Sequence, residues 1–520
     1  MEAPQALPER FNFARHILEL NRGRAAKPAY IDDATSLSYG ELDERVRRCA
    51  AGLLRLGLHP EERVLLVMHD TVDMPVAFLG ALFAGVVPVP VNTLLPAADY
   101  AYMLGHSEAR AVLVSAALLP VVTQALAGCK HKPKLIVCGA AAELPQGALP
   151  FSHLLQAEAL SHAACADTHA DQFAFWLYSS GSTGKPKGTV HSHANLYWTA
   201  ALYGQPVLGV REDDVVFSAA KLFFAYGLGN ALTFPLSVGA TVILMAERPT
   251  PGAVFKRLVE QRPTVFCGVP TLYVAMLASE SQPAQNELAL RICASAGEAL
   301  PREVGEKFHA RYGAHILDGL GSTEMLHIFL SNRADDVRYG SSGRPVQGYE
   351  LQVRHEDGSP CAVGDVGDLY IKGPSAALLY WNNREKSRVT FQGEWVKSGD
   401  KYVLDEQGYY SYSGRSDDML KVSGQYVSPI EVEAALIAHV AVLESAVIGR
   451  VDEQGLTKTV AYVVLKPGQA AGDALKEDLR AFCKSRLAPH KTPREIHFAE
   501  ELPKTATGKI QRFKLRALQG

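Results

Sequence analysis

The sequence lacks the cysteine patterns of a zinc-binding or disulfide-stapled protein. Its eight cysteines are scattered, with no CxxC pair and no ordered spacing of histidine and cysteine. This excludes a zinc-finger type of module and is typical of a protein in a reducing cytoplasm. The N-terminal stretch MEAPQALPERFNFARHILEL contains acidic residues and prolines but no apolar core, so it does not predict a signal peptide.

A strong net charge and an uninterrupted membrane segment are also missing. The formal charge is −3, which gives no reason to expect nucleic acid or an anionic membrane as a partner. Residues 74–98 are uncharged and long enough to cross a bilayer, but prolines and glycines interrupt them. We expect a buried helix over 76–84 and a buried strand over 86–91 instead. The interrupting residues are Pro75, Gly80, Gly85, Pro88, Pro90 and Pro96.

The sequence does contain an alternation of short apolar, β-branched runs with helical stretches. At 520 residues the chain is too long for one core, and about two to four structural units are expected. The alternation predicts an α/β protein with parallel sheets covered by helices. The predicted strands are ERVLLVM, ARAVLVS, PKLIVCG, QFAFWLYS, DVVFSAA, ATVILM, PTVFCGV, LRICASA and AHILDGL.

The pattern changes twice towards the C-terminus. From about residue 340, strand and turn signals predict a smaller antiparallel unit. After GRSDD at 414–418, a separate α+β domain is predicted by two helical segments, SPIEVEAALIAH and ALKEDLRAFCKSRL, and by the strands SAVIGRV and TVAYVVLK. We therefore expect an N-terminal domain over 1–416, with its antiparallel part at 340–416, and a C-terminal domain over 417–520.

The densest chemical signal is the loop YSSGSTGKPKG at 178–188, directly after an apolar strand. Glycines let backbone N–H groups approach phosphate oxygens, hydroxyls add donors, and two lysines supply charge. The spacing is not that of a Walker A motif, because two residues separate Gly181 from Gly184 and Pro186 follows the first lysine. A flexible polar turn is the alternative, but it explains this ordered run less well.

A second cluster, DGLGSTE at 318–324, follows the predicted strand at 314–317. Loops beyond the carboxyl ends of parallel strands are where α/β proteins bind ligands. Asp318 could accept a hydrogen bond from an exocyclic amine, and Glu324 could hold Mg²⁺ against phosphate. By itself the string is equally compatible with an ordinary turn.

Three later positions suit ribose hydroxyls and phosphate. Asp400 follows a glycine, Arg415 begins the acidic run RSDD, and LPKTATGK at 502–509 places Lys509 at a turn that contains glycine. Each of them, taken alone, also fits an exposed surface residue.

Together, in this order, the motifs closely resemble those of the adenylate-forming superfamily of acyl-CoA synthetases, luciferases and nonribosomal adenylation domains. The resemblance covers nearly the whole chain. It implies a large N-terminal domain of two α/β sheets plus a small β-barrel, followed by a mobile α+β C-terminal domain. It also implies ligation through an acyl-adenylate, with ATP, Mg²⁺ and coenzyme A as cofactor and co-substrates.

The resemblance also implies roles for individual positions. Thr183 and Lys185 would act on the ATP phosphates, and Glu324 would bind Mg²⁺. Lys509 would bridge the acid and ATP, and Asp417 would be the hinge residue. The full nucleotide site would comprise Ser180, Gly181, Ser182, Thr183, Gly184, Lys185, Gly297, Glu298, Ala299, Asp318, Gly319, Thr323, Asp400 and Arg415.

Segments 221–230 and 324–329 resemble those of benzoate–CoA ligases, where they flank the acyl pocket. Tyr226 and His327 are the polar tips of the expected lining, and His327 could either touch the substrate or orient a loop. The histidines His191 and His193 are expected to be structural, because no third metal ligand is near them in sequence. The expected ring pocket comprises Ala225, Tyr226, Gly227, Gly319, Gly321, His327 and Ile328.

The leading expectation is therefore a cytoplasmic ligase for benzoate, ATP and coenzyme A, acting as a monomer or homodimer. A ligase for hydroxybenzoate, aminobenzoate or another small aryl acid differs only in the pocket lining. A luciferase-type oxygenase and a non-catalytic adenylate sensor are alternatives from other classes. The sensor is disfavoured because binding alone does not need both Lys509 and a complete phosphate loop.

Overall fold

The computed structural model divides the chain into two compact units. The first unit comprises Met1–Glu350 and Ile371–Val396, and the second comprises Leu351–Tyr370 and Lys397–Gly520. The predicted phosphate-loop residues 180–184, the predicted hinge residue Asp417 and the predicted catalytic lysine Lys509 lie outside the described residues. The described residues are 6–141, 143–179, 185–416, 419–422, 425–451, 457–487, 491–504 and 510–517.

The second helix begins where the sequence supplies a cap. Ser38 accepts a hydrogen bond from the backbone of Glu41, whose carboxylate accepts one from the backbone of Ser38, and this capping box starts the second helix. The helices are α1 Phe13–Leu20, α2 Tyr39–Arg55, α3 Asp73–Phe83, α4 Ala97–Ser107, α5 Leu119–Ala127, α6 Phe151–Leu155, α7 His193–Thr199, α8 Ala225–Leu228, α9 Phe234–Val238, α10 Pro251–Glu260, α11 Pro270–Ala278, α12 Arg302–Tyr312, α13 Arg384–Thr390, α14 Pro429–Ile437, α15 Asp473–Lys484 and α16 Arg512–Ala517.

The strands are short and mostly apolar, as sheets covered on both faces require. They are β1 Pro28–Ile31, β2 Ser36–Ser38, β3 Arg63–Val67, β4 Val87–Pro90, β5 Ala111–Ser115, β6 Lys134–Cys138, β7 Leu149–Pro150, β8 Phe173–Ser179, β9 Lys187–Ser192, β10 Val215–Ser218, β11 Thr241–Ile243, β12 Val265–Gly268, β13 Ile292–Ser295, β14 His315–Gly321, β15 Ile328–Ser331, β16 Arg344–Pro345, β17 Glu350–Arg354, β18 Val366–Lys372, β19 Leu379–Tyr380, β20 Phe391–Gln392, β21 Trp395–Leu404, β22 Tyr410–Arg415, β23 Leu420–Val422, β24 Gln425–Val427, β25 Val442–Val451, β26 Thr457–Leu465 and β27 Glu495–Phe498.

One sheet of the first unit is parallel throughout, in the order β4-β3-β5-β6-β7. Helix α3 is almost wholly buried, and every residue of β4 is buried. The uncharged run at 74–98 is therefore a buried helix and strand, as expected from its prolines. Within the described ranges, no helix is both long and apolar enough to cross a bilayer.

A second sheet of this unit has the order β16-β15-β14-β13-β12-β10-β11-β1-β2. Its central strands are parallel, whereas β15 and β2 run antiparallel to their neighbours at the two ends. All nine predicted strand segments are strands, and the α/β expectation is confirmed. Residues after the carboxyl end of β13 and at the end of β14 therefore lie at the same edge of the sheet.

The strand β8, however, is not part of a parallel sheet. It pairs antiparallel with β9, and β9 pairs antiparallel with β19. The short connection from Ser179 to Lys187 is the physical reason, because a parallel pair needs a longer crossover. The predicted phosphate loop thus joins two neighbouring antiparallel strands.

The second unit contains the expected strand-rich and α+β parts. Strands β17, β18, β21 and β22 share a sheet, and Asp400 of β21 pairs with Arg415 of β22. Further along, β25, β26 and β27 form a sheet whose apolar residues pack with those of α14 and α15. The predicted boundary at 416/417 stays a prediction.

Candidate active site

A tight turn after β14 positions the predicted magnesium ligand. Met325 donates its backbone N–H to the Ser322 hydroxyl (3.1 Å), and Ala377 donates its N–H to the Glu324 carbonyl (2.7 Å). Leu326 has φ +64°, a left-handed conformation that costs a branched residue about 1–2 kcal/mol. Its side chain is buried in the main core, which holds this turn in place.

The Glu324 carboxylate is the centre of an oxygen-rich cluster. Its Oε1 accepts a 2.6 Å hydrogen bond from the Tyr380 hydroxyl and a 3.5 Å hydrogen bond from the Ser179 hydroxyl. The Lys187 ammonium lies 3.7 Å from the same oxygen and 4.4 Å from the Tyr380 ring centroid. A half-buried carboxylate beside two hydroxyl oxygens is a donor set that suits Mg²⁺. The residues present therefore fit the implied metal.

The two lysines of the phosphate loop have different surroundings. Lys185 has its Nζ 5.5 Å from the Tyr102 ring centroid. Lys187 is the first residue of β9. Two residues further along this strand, Thr189 pairs with Tyr380 of β19. Strand pairing thus places Lys187 at the Glu324 cluster. From the sequence both lysines were expected to supply charge, but only Lys185 was given a specific role at the ATP phosphates.

Asp318 and the segment 297–299 of the predicted nucleotide site are neighbours. The Asp318 carboxylate accepts a 3.4 Å hydrogen bond from the backbone N–H of Leu300, which directly follows Gly297, Glu298 and Ala299. Gly297 has φ +96°, a turn that favours glycine. Burial raises the pKa of Asp318 to about 8, and its Oδ1 has no hydrogen-bond partner among the described residues. A buried, unpaired acceptor beside an open loop suits a hydrogen-bonding ligand.

His191 and His193 have structural contacts, as expected. The His191 Nε2–H donates to the Thr323 carbonyl (2.8 Å), and its Nδ1 accepts from the Asn195 amide (2.9 Å). Burial lowers the pKa of His191 to about 4, so the ring is neutral. His193 Nδ1 accepts from the backbone N–H of Phe13 (3.3 Å). His191 thereby fixes the carbonyl of Thr323, one of the residues expected in the nucleotide site.

The two predicted ribose contacts belong to the second unit. Arg415 donates to the Asp400 carboxylate over 3.1 Å, and both residues lie on paired strand positions. Gly399 has φ +77°, and the Asp400 backbone N–H donates to the Ser398 hydroxyl (3.0 Å). The pair is thus an ordered acid and base, as hydroxyl and phosphate recognition requires.

Most of the predicted ring pocket comes together in the first unit. His327 Nε2–H donates to the Tyr226 carbonyl (3.1 Å), which joins helix α8 to the turn after β14. A Cβ added to Gly319 would lie 3.0 Å from Ile328, and one added to Gly321 would lie 2.7 Å from the His327 carbonyl. These glycines therefore allow the β14–β15 hairpin to close.

Ala225 and Gly227 differ in their surroundings. Ala225 is partly exposed and packs on the main core. A Cβ on Gly227 would lie only 2.0 Å from the Lys221 carbonyl oxygen, so this glycine is required by a backbone turn. This backbone turn is sufficient to explain why position 227 is glycine.

His327 is buried among aromatic rings. Its ring centroid lies 5.4 Å from that of Tyr203, 5.6 Å from that of Tyr226 and 4.4 Å from that of Phe234. Burial lowers its pKa to about 3, so the ring is neutral and Nε2 carries the proton that it donates to Tyr226. Of the two expectations for His327, loop orientation is directly visible in this hydrogen bond.

Two family models match the chain: AMP-binding enzyme over residues 19–381, and AMP-binding enzyme C-terminal domain over residues 431–509. The chain belongs to the AMP-binding enzyme family. This AMP-binding enzyme is 58% identical to a benzoate–CoA ligase of Thauera aromatica, over 98% of this chain and 97% of that protein. It is 47% identical to a 4-hydroxybenzoate–CoA/benzoate–CoA ligase of Rhodopseudomonas palustris, over 98% of this chain and 94% of that protein.

A solved structure agrees closely with this AMP-binding enzyme. The benzoate CoA ligase from Burkholderia xenovorans LB400 is 64% identical, with a TM-score of 0.91 over 97% of this chain and 100% of that chain. The predicted superfamily and fold class are therefore confirmed. The roles of individual site residues stay predictions.

Three residues beside the predicted site residues were not singled out from the sequence: Tyr380 contacts Glu324, Tyr203 lies against His327, and Asn230 lies beside Tyr226. The repeating hydroxyl and glycine signals of the phosphate loop do not extend to Tyr380, which lies far along the chain. Tyr203 and Asn230 lie in apolar helical stretches, where a polar residue is expected to face solvent or a core partner. The Gly-Asn pair at 229–230 was the available signal for Asn230, because a glycine inside a helix often marks a position where another part of the chain packs closely against the backbone.

Proposed function

We propose that the chain is an AMP-forming ligase that joins benzoate to coenzyme A through benzoyl-adenylate. The observation that carries this proposal is the continuity of segment 324–328. It starts at a carboxylate cluster suited to Mg²⁺ and ends in a pocket of aromatic side chains. The similarity to benzoate–CoA ligases at 58% and 64% identity supports the same conclusion.

In the first half-reaction the benzoate carboxylate attacks the α-phosphorus of ATP, and pyrophosphate leaves. Both reactants are anions, so the step needs positive charge where negative charge develops. Glu324 would hold Mg²⁺, which supplies charge neutralisation at the phosphates. Lys187, held by Glu324 and Tyr380, would add a second positive charge, and Lys185 would neutralise the pyrophosphate. Thr183 would donate to the phosphates.

The second half-reaction requires a different arrangement of the active site. The CoA thiolate attacks the acyl carbon of benzoyl-AMP, and AMP leaves. By the family resemblance, Lys509 bridges acid and ATP only in the first step, and rotation at Asp417 then removes it so that pantetheine can enter. One lysine thus serves one half-reaction.

We further infer that coenzyme A is the acyl acceptor and that the enzyme acts in the cytoplasm. Eight free cysteines, six of them buried, suit a reducing compartment. The relatives described above support coenzyme A as the acceptor, because each of them is named as a CoA ligase.

The test is a panel of aromatic and aliphatic acids assayed for CoA-dependent AMP release, with thioesters identified by mass spectrometry. Benzoate should give AMP, pyrophosphate and benzoyl-CoA in equal amounts. Light or peroxide products in place of thioester would support a luciferase-type oxygenase. Binding of adenylate without turnover would support a sensor, and preference for a medium-chain fatty acid would overturn the aryl assignment.

A further inference from the structure

Two π-helical segments pack against each other beside the ring pocket. They are Ala200–Gly204, which continues α7, and Gly229–Thr233, which continues α8. A Cβ added to Gly204 would lie 2.6 Å from the Phe234 ring, and one added to Gly229 would lie 2.2 Å from the His327 ring. Single π-helical turns are rare and occur often at functional sites, because they change which residues a helix directs to one side.

Among their buried, mostly apolar side chains, these segments carry the polar Tyr203 and Asn230, which lie near the buried His327. Tyr203 and Asn230 are 0% exposed, and His327 is 3% exposed. The Tyr203 ring lies against His327, and the Asn230 amide lies beside the Tyr226 hydroxyl, where it partly opposes the rise that burial causes in the pKa of Tyr226. The Tyr226 ring is partly exposed while its hydroxyl is buried, so this polar cluster lies on the inner side of the ring pocket.

The cluster contains several polar atoms without a partner. Among the described residues, no hydrogen bond of standard distance and angle reaches the hydroxyls of Tyr203 and Tyr226, either amide atom of Asn230, or Nδ1 of His327. Weaker side-chain contacts remain: Ser331 lies beside the Tyr203 hydroxyl and Asn230 beside the Tyr226 hydroxyl, and each partly opposes the rise that burial causes in the pKa of its tyrosine. Buried polar groups are nearly always hydrogen-bonded, and a concentration of exceptions calls for a ligand or an ordered water that completes them. Apolar side chains of the same shape would fill the space without this cost.

The chemistry of the missing partner follows from the atoms. Because His327 donates through Nε2 to the Tyr226 carbonyl, its Nδ1 is a bare acceptor that needs an N–H or O–H donor. The hydroxyls and the Asn230 amide can each donate or accept. The cluster therefore fits a small neutral group that both donates and accepts, such as a hydroxyl or an amine, and it does not fit a carboxylate or a methyl group.

We propose that Tyr203, Asn230 and His327 form a polar sub-site behind the ring pocket, and that it takes a hydroxyl or amino group carried on the aromatic ring of the acid. This inference rests on the proposed aryl–CoA ligase function. It extends the substrate class from benzoate to benzoates with a polar substituent directed to the inner wall. A water molecule of the same chemistry would take the place when the ring is unsubstituted.

The test compares hydroxy- and aminobenzoates with the fluorobenzoate substituted at the same ring position, since fluorine is small but donates no hydrogen bond. In the wild type, the polar acid should equal or exceed its fluoro counterpart in kcat/KM at one ring position. Tyr203→Phe and Asn230→Leu should each lower that ratio about tenfold, which corresponds to ~1.4 kcal/mol. Tyr39→Phe is the matched control, because its buried hydroxyl donates to a backbone carbonyl far along the chain (Ala240, 2.6 Å).

The sub-site proposal is refuted by either of two results. If both variants leave the ratio unchanged while remaining folded by thermal melting, or if the wild type disfavours the polar acid at every position, the sub-site does not exist. Because the two substitutions are on different helical segments, misfolding of one leaves the other informative. Failure of the wild type to convert benzoate itself would instead refute the proposed function.

Discussion

Replacing Tyr380 with Phe tests the carboxylate cluster, because it removes one hydroxyl and keeps the ring under Lys187. The lost contact is the 2.6 Å hydrogen bond to Glu324, a short bond to a charged acceptor. Hydrogen bonds to charged groups contribute about 1.5–3 kcal/mol. The Glu324 side chain is only 16% exposed, so water replaces this contact poorly. If the full free energy of this hydrogen bond stabilises the transition state of adenylation, the adenylation rate should fall about ten- to a hundredfold.

The assay measures the two half-reactions separately. ATP–pyrophosphate exchange with benzoate reports the first, and single-turnover thioester formation from supplied benzoyl-AMP reports the second. We expect exchange to fall by the factor above and to need more Mg²⁺ for half-saturation, while thioester formation changes less than about threefold. The reason is that, in the proposed mechanism, Glu324 would hold Mg²⁺ at the phosphates that leave in the first step.

The matched control is Tyr100→Phe. This substitution also removes one tyrosine hydroxyl from the first unit. The Tyr100 hydroxyl, however, donates to the Asn92 backbone carbonyl (2.8 Å) and makes no contact with the Glu324 cluster. The substitution should lower the melting temperature without changing either half-reaction. Exchange within twofold of wild type for Tyr380→Phe, or an equal fall in both half-reactions, would refute the role of this hydrogen bond.

Three further outcomes are expected. Lys509→Ala should lower pyrophosphate exchange by several orders of magnitude and preserve thioester formation from benzoyl-AMP; equal losses would contradict its assignment to one step. Gly229→Ala should cost about 1–3 kcal/mol of stability and raise the KM for benzoate, since the new Cβ would lie 2.2 Å from the His327 ring, whereas Gly252→Ala, with open space around it, should not. The pKa of His191 is lowered to about 4 by burial, so its neutral form is retained in the fold while the unfolded chain binds a proton near pH 6.5. The stability advantage of wild type over His191→Gln should therefore decrease by ~3 kcal/mol as pH falls from 6.5 to 4, measured by urea unfolding; a constant difference would contradict this.

The elements that sequence reasoning located are those with a strong local signal. The buried helix and strand within residues 74–98, and each of the β-branched runs, were located because burial on both faces leaves a continuous apolar run. The antiparallel direction of β8 was not predicted, because apolar composition does not distinguish a parallel from an antiparallel neighbour. The length of the following loop was the better guide.

The candidate site was predictable where a motif is contiguous, and not where strands or helices bring distant residues together. Glu324 and Asp318 belong to one short string, and both are at ligand-competent positions. Tyr380 reaches Glu324 only because β19 pairs with β9. Tyr203 and Asn230, which we propose to line a sub-site, lie on π-helical segments, which depart from the regular period that sequence analysis assumes.

The left-handed Leu326 constrains how this enzyme can change its substrate during evolution. It lies between Glu324, the proposed magnesium ligand, and His327 of the proposed ring pocket, so we expect an insertion or a flexible residue in this turn to disturb phosphate chemistry and ring recognition at once. Mutations that alter ring preference without loss of adenylation must therefore arise elsewhere. The two π-helical segments are free of that linkage, and we expect natural variation in aryl specificity to accumulate there.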